Sequence, residues 1–300
     1  NFEALFKPIE RCHFFAADLK NKHKGIFGLH ALFTQIKQQR PIDGLADLHQ
    51  VLRSQIIRFF ARLYRIPIAT IDKGRIGKKQ LVAKEHKVLT QQATSFERYA
   101  SVFAELGFAI QLSKTTAPYQ RYQLPEKSVR FFNNHPVIGI APFAQHDEKM
   151  YPLAQMKKVI EQLSELPVEV LLLGGGQKEK EILQTWEREW NKPNIHTIAG
   201  QFSLSEELAI ISNLKIMVSM DSANMHLASL FGVPTVSIWG ATHPYAGFYG
   251  WAQDPKLAIS LPMSCRPCSV FGNKPCHRGD HACMVQIKPE TIVAKIQSIL

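Results

Sequence analysis

Between residues 137 and 240 the chain repeats one alternation, a short and mainly apolar run followed by an amphipathic stretch of about a dozen residues. The runs are "VIGIAPF" (137–143), "VEVLLLGGG" (168–176), "IHTIAG" (195–200), "KIMVSM" (215–220) and "PTVSIWG" (234–240). Runs apolar on both sides need cover on both faces, and intervening helices supply the crossovers that parallel strands require. The pattern therefore predicts a parallel sheet, with helices at 152–166, 177–190, 203–214 and 221–232. Ser203 and Glu206 have the spacing of a capping box at the third of these.

The first half follows the same scheme less regularly. "CHFFAAD" (12–18), "DGLADL" (43–48) and "IPIATID" (66–72) are predicted strands, and 26–39, 51–65 and 95–107 are predicted helices. Residues 113–136 carry Pro118, Pro125 and Pro136 with little periodicity, as a connection between domains does. At 300 residues the chain exceeds one ordinary core. Two Rossmann-like domains are expected, 1–125 and 126–300. The first opens on a polar-flanked helical fragment, so a further strand and helix are expected upstream of Asn1. No apolar run approaches the roughly 18 residues of a membrane span.

Charge divides the halves. Residues 1–136 hold 22 Lys+Arg against 10 Asp+Glu, while residues 137–300 hold 14 against 15. A basic first half suits an anionic partner, such as a phosphorylated glycan, a membrane surface or nucleic acid; a merely solvated basic surface is the plainer explanation. No nucleic-acid motif accompanies the charge. Five cysteines do not make a disulfide framework at this length, which favours a cytoplasmic setting.

Open parallel sheets take ligands at the carboxyl ends of their strands. In "SMDSANMHLASLFG", Asp221 and Ser222 stand where a strand hands over to a helix, with Ala223 next and His226 further on. A helix start favours an anion such as phosphate, although Asp221 also suits a plain capping role. Gly174, Gly175 and Gly176 end a predicted strand and let backbone N–H groups approach a ligand, or simply make a tight turn. Lys149, in "APFAQHDEKMYP", is suited to neutralising a diphosphate. In the first half, Asp47 and His49 lie at a strand end and Arg53 follows. Arg58, Arg62 and Arg65 share a helical face, and Lys73 and Arg75 fall in a predicted mobile loop at 71–84; His49, Arg53, Lys73 and Arg75 are the expected anion or acceptor contacts. Cys265, Cys268, Cys276 and Cys283 are spaced C-x2-C-x7-C-x6-C. That spacing is open to a structural zinc, to reduced structural thiols or to a redox pair.

Taken together, these segments resemble glycosyltransferase family 9, the ADP-heptose:lipopolysaccharide heptosyltransferases. The likeness rests on "MDSANMHLASLFGVPTVSIWGATHP", "APFAQHDEKMYP", "DLHQVLRS" and the cysteine-bearing "LPMSCRPCSVFGNKPCHRGDHACMVQIKPETI". It implies a GT-B fold, two Rossmann-like domains facing across a cleft. It implies inverting transfer of a sugar, a heptose from ADP-heptose, to a phosphorylated lipopolysaccharide core, with no cofactor needed for catalysis. The enzyme would work in the cytoplasm, peripherally on the inner membrane. Carried over, Asp221, Ser222 and His226 would line the donor diphosphate and sugar, Lys149 would meet phosphate, and the glycine turn would lie near the nucleotide. Ala223 stands where the family has glycine, and Tyr151 where it has tryptophan. The family's amino-terminal Gly-Asp segment, whose aspartate is the proposed base, has no match in this sequence; Asp18 and Asp47 are the nearest substitutes. A degenerate relative that binds a nucleotide sugar or anionic glycan without chemistry is the alternative.

Overall fold

A computed structural model describes residues 2–113, 117–132 and 135–300, so 114–116 and 133–134 of the expected connection lie outside the described residues. The chain divides into two compact units. One holds Asn1–Arg75 and Ala93–Ser113, the other Ile76–Gln92 and Lys114–Leu300. Residues 117–125, given to the first domain on sequence, are tied to the second unit: the Tyr119 N–H donates to the Leu230 carbonyl, and the Tyr122 N–H to Ser212 Oγ.

In the first unit, α1 (Gly25–Gln39), β1 (Leu45–Asp47), α2 (Leu52–Leu63) and β2 (Ile68–Thr70) follow in order. Next come α3 (Arg75–Leu81), which begins at the unit boundary, and α4 (Ser95–Glu105). β1 and β2 pair in parallel, Leu45 opposite Ile68 and Asp47 opposite Thr70. Leu29, Leu32 and Phe33 recur at the spacing of one helical face and pack on Phe60 and Ala61 of α2.

Three expectations are corrected here. Residues 12–18 form no strand and are mostly exposed; Asp18 instead closes a turn, accepting from the N–H groups of Lys20, Asn21 and Lys22. The stretch 71–84 is not all loop, because Ile76 to Leu81 continue as α3, with Leu81 fully buried. Arg65 lies beyond the end of α2, at φ +57°, and Arg58 does not join Arg62 on a solvated face. Its Nε lies 3.2 Å from Asp47 Oδ2 and its guanidinium donates to Thr70 Oγ1.

The second unit continues with β3 (Val137–Ala141), α5 (Leu153–Ser164), β4 (Glu169–Leu172), α6 (Gln177–Trp190), β5 (Ile195–Thr197), α7 (Leu204–Asn213) and β6 (Ile216–Met220). Beyond them lie α8 (Ala223–Leu230), β7 (Thr235–Ile238), β8 (Ala258–Ile259), α9 (Ala282–Val285) and α10 (Pro289–Gln297). Six parallel strands run in the order β5-β4-β3-β6-β7-β8. β3 and β6 are buried along their whole length, as their mainly apolar sequence requires. The apolar stripe of α5, Met156, Val159, Ile160 and Leu163, joins the same core as Ile292, Val293 and Ile296 of α10. Because the chain winds outward from β3 to β5 and then returns to place β6 beside β3, the sheet's switch point lies between β3 and β6.

At the start of α7 the capping box forms as expected, Ser203 Oγ accepting from the Glu206 N–H and Glu206 Oε2 from the Ser203 N–H. The next residue, Glu207, carries a cost. Burial pushes its carboxyl up from 4.5 to about 7. The unfolded chain therefore ionises first, and stability falls as pH rises through that window. Glu207→Gln is expected to raise stability by about 1–2 kcal/mol near pH 8 and to change nothing near pH 4, as read from thermal melts at both values.

Candidate functional site

A cavity of about 440 Å³ opens at the carboxyl ends of β3, β4 and β6, beside the switch point. Three segments build it. β3 ends at Ala141, and the loop beyond it carries Phe143, Ala144 and Gln145 to a single 3-10 turn, Asp147–Lys149. Tyr151 anchors that loop: it is fully buried, its N–H donates to Met220 Sδ and its hydroxyl to the Ile287 carbonyl. The chain just past β4 contributes Leu173 and Gly174, and β6 hands over to Asp221, Ser222, Ala223, Asn224 and His226.

The charged centre of the cavity is an ion pair, Lys149 Nζ to Asp221 Oδ2 at 3.2 Å, with both side chains largely buried. Asp221 does not cap α8. The N-cap is Ser222, and even its hydroxyl turns away to share a hydrogen bond with Ser219 Oγ at 2.9 Å. The N-cap side chain therefore leaves the first N–H groups of α8 uncapped, and Ala223 and Asn224, its first two residues, line the cavity. His226 is held below its ordinary value, chiefly by burial and further by Lys149, against the pull of Asp221. That favours the neutral ring, which has one ring N–H to donate.

The structure thus gathers Lys149, Gly174, Asp221, Ser222, Ala223 and His226 around one space. The other two glycines serve the turn. The Gly175 N–H donates to Glu179 Oε2 at 2.7 Å, and Gly176, with φ +69°, is the N-cap of α6. Glu179, Phe143 and Asn224 also line the cavity and were missed on sequence. For Glu179 a signal existed, since an acidic side chain one turn beyond a glycine turn is placed to meet the helix's free N–H groups.

In the first unit, His49 and Arg53 are exposed beside the β1–α2 turn, and Arg75 is exposed at the start of α3. Lys73 Nζ donates to the Gln50 carbonyl at 3.3 Å, which secures that turn. Asp47 is no free base. Burial raises its carboxyl, but the N–H groups of Gln50 and His49, the Ser54 hydroxyl and Arg58 outweigh that and hold it below the ordinary range. Asp18 is likewise held down, first by the Asn21 side chain.

Of the three readings open for the cysteines, a structural zinc is not supported. Cys265, Cys268, Cys276 and Cys283 are free thiols, and among the described residues no group of three or more His, Cys, Asp or Glu is placed to hold a metal ion. Burial raises the Cys268 thiol and pushes that of Cys283 up to about 11, as apolar surroundings do to a thiol that is not engaged.

The sheet order and the cavity at its switch point define a doubly wound α/β unit with an open space at the carboxyl edge, where sheets of this kind take ligands. Within that class the chain belongs to glycosyltransferase family 9 (heptosyltransferase), whose sequence profile matches residues 29–275. It is 24% identical over 171 residues to lipooligosaccharide heptosyltransferase 2 of Campylobacter jejuni, covering 56% of this chain and 52% of that one. To the Haemophilus influenzae protein of the same name it is 25% identical over 276 residues, 86% of this chain and 76% of the other. The chain thus spans about half the length of the first of these relatives. The solved structure of Escherichia coli ADP-heptose lps heptosyltransferase II shares its fold, with a TM-score of 0.67 at 17% identity, covering 99% of this chain and 86% of that one. No helix among the described residues is long and apolar enough to cross a membrane.

Proposed function

We propose that this chain is the donor-binding and transferase part of an inverting heptosyltransferase that takes ADP-heptose as donor and a phosphorylated lipopolysaccharide core as acceptor. The observation that carries the reading is the Lys149–Asp221 pair set against the uncapped start of α8. There the Lys149 ammonium, the α8 N–H groups and the neutral His226 offer donors to a diphosphate. Glu179, whose carboxylate lines the same cavity, is suited to accept from sugar or ribose hydroxyls.

In the transfer, an acceptor hydroxyl oxygen attacks the anomeric carbon from the face opposite the diphosphate. The carbon–oxygen bond to the diphosphate breaks, ADP departs with the electron pair, and a base takes the hydroxyl proton. Preorganised donors stabilise the charge that grows on the departing diphosphate. Asp18 and Asp47 are poorly suited to be that base, because their carboxylates already accept from N–H groups of their own turns and are held below the ordinary range. On α2, exposed Arg53 and Arg62 with Phe59 and Leu63 support contact with an anionic membrane from the cytoplasmic side.

Thermal shift against a panel of ADP-, UDP- and GDP-sugars tests this reading. ADP-heptose is expected to raise the melting temperature of the wild type and not of Asp221→Ala, in which Lys149 loses the carboxylate that orients it. An equal response in both proteins counts against the site.

A further inference from the structure

The Lys149 stem runs over a floor on its way to Asp221. That floor is Gly272, in the cysteine-bearing segment between β8 and α9. A Cβ at Gly272 would overlap Cγ and Cδ of Lys149, the middle of the stem rather than its mobile end. Gly272 also has φ +73°. Its position is fixed from behind. The Gly272 N–H donates to Ser269 Oγ at 2.9 Å, and Ser269 is buried. The N–H groups of Cys268 and Ser269 both donate to the Ala241 carbonyl just past β7, at 3.0 and 3.1 Å. A second tie joins the same segment to the same turn, His281 Nδ1 lying 3.1 Å from Glu148 Oε2, beside Lys149 in sequence.

We propose that Gly272 is a positioning residue for the donor site. Its missing side chain is the space through which the Lys149 stem passes, and any Cβ there turns the ammonium away from Asp221. This rests on the reading of Lys149 as a diphosphate contact. It assigns the cysteine-bearing segment a role that no metal requires, that of a backing on which the lysine is aimed.

The test is calorimetric titration of ADP and of adenosine into the wild type, Gly272→Ala, Gly272→Asn, Lys149→Met and the Gly272→Asn/Lys149→Met double variant. Asparagine tolerates positive φ yet carries a Cβ, so it separates backbone conformation from the filled space; it also serves if the alanine variant does not fold. Both Gly272 variants are expected to bind ADP at least tenfold more weakly, with adenosine affinity unchanged within about twofold. The double variant is expected to lose no more than Lys149→Met alone, because both changes remove one interaction. Wild-type ADP affinity in Gly272→Asn, equal losses for ADP and adenosine, or additive losses in the double variant each overturn the positioning role. Full ADP affinity in Lys149→Met overturns the donor-site reading itself and the positioning role with it, which distinguishes the two failures.

Discussion

Lys149→Met is expected to weaken ADP binding about 100-fold, roughly 2.7 kcal/mol, the upper range for a charge-assisted hydrogen bond made in a sheltered site. Two effects add. The variant loses the ammonium that meets the diphosphate, and it leaves the Asp221 carboxylate in the cavity without the partner now 3.2 Å away. An uncompensated carboxylate repels an incoming diphosphate, so the loss exceeds that of one contact. Methionine keeps most of the stem that crosses Gly272, so packing there changes little. Arginine is not expected to rescue, because its longer, planar head does not fit the path that the lysine takes over the glycine. Calorimetry at constant ionic strength gives the number, and a loss below about threefold would show that the diphosphate lies elsewhere.

The parts of this site that were legible in the sequence are those set by local pattern. Five apolar runs announced β3 to β7, because a strand buried on both faces leaves no alternation to misread. Asp221 was placed at a strand's carboxyl end for the same reason. What local pattern does not carry is adjacency. The order that sets β6 beside β3, and so brings Lys149 to Asp221 across 72 positions of sequence, follows from the winding of the whole sheet. Arg58 shows the same limit in miniature: helical spacing grouped it with Arg62 and Arg65, but pairing with Asp47 decided its fate. Some signals were present and passed over. Thr94 and Glu97 form a capping box at the start of α4 as complete as the one at Ser203. The cysteine spacing left a metal, structural thiols and a redox pair open, because spacing along the chain does not say whether three ligands meet; among the described residues none do. Gly272 carried no local signal at all; its meaning depends on a lysine over a hundred residues earlier.

Arg266→Met is expected to be the most damaging single change to stability in the second unit, costing about 3–5 kcal/mol. The Arg266 guanidinium is almost wholly buried and donates to three backbone carbonyls, those of Gly240, Leu261 and Thr242. These oxygens lie where β7 ends and where the chain leaves β8, and Arg266 joins the two. Burial weighs against its charge, with the thiols of Cys283, Cys265 and Cys268 acting in the opposite sense. Methionine fills part of the volume but donates nothing, and each stranded carbonyl costs about 1 kcal/mol or more. Lysine restores one point donor and is expected to fall between the two. At about 2–4 °C per kcal/mol for a chain of this size, the methionine variant melts on the order of 10 °C lower. The damage is expected to spread along the segment that Arg266 secures. Thiol alkylation at Cys268 and Cys283 should accelerate below the melting transition, and ADP affinity should fall as the backing at Gly272 loosens beneath Lys149. Unchanged alkylation rates in a variant of lowered melting temperature would mean that the segment is secured through the Ala241 carbonyl instead, where the Cys268 and Ser269 N–H groups converge.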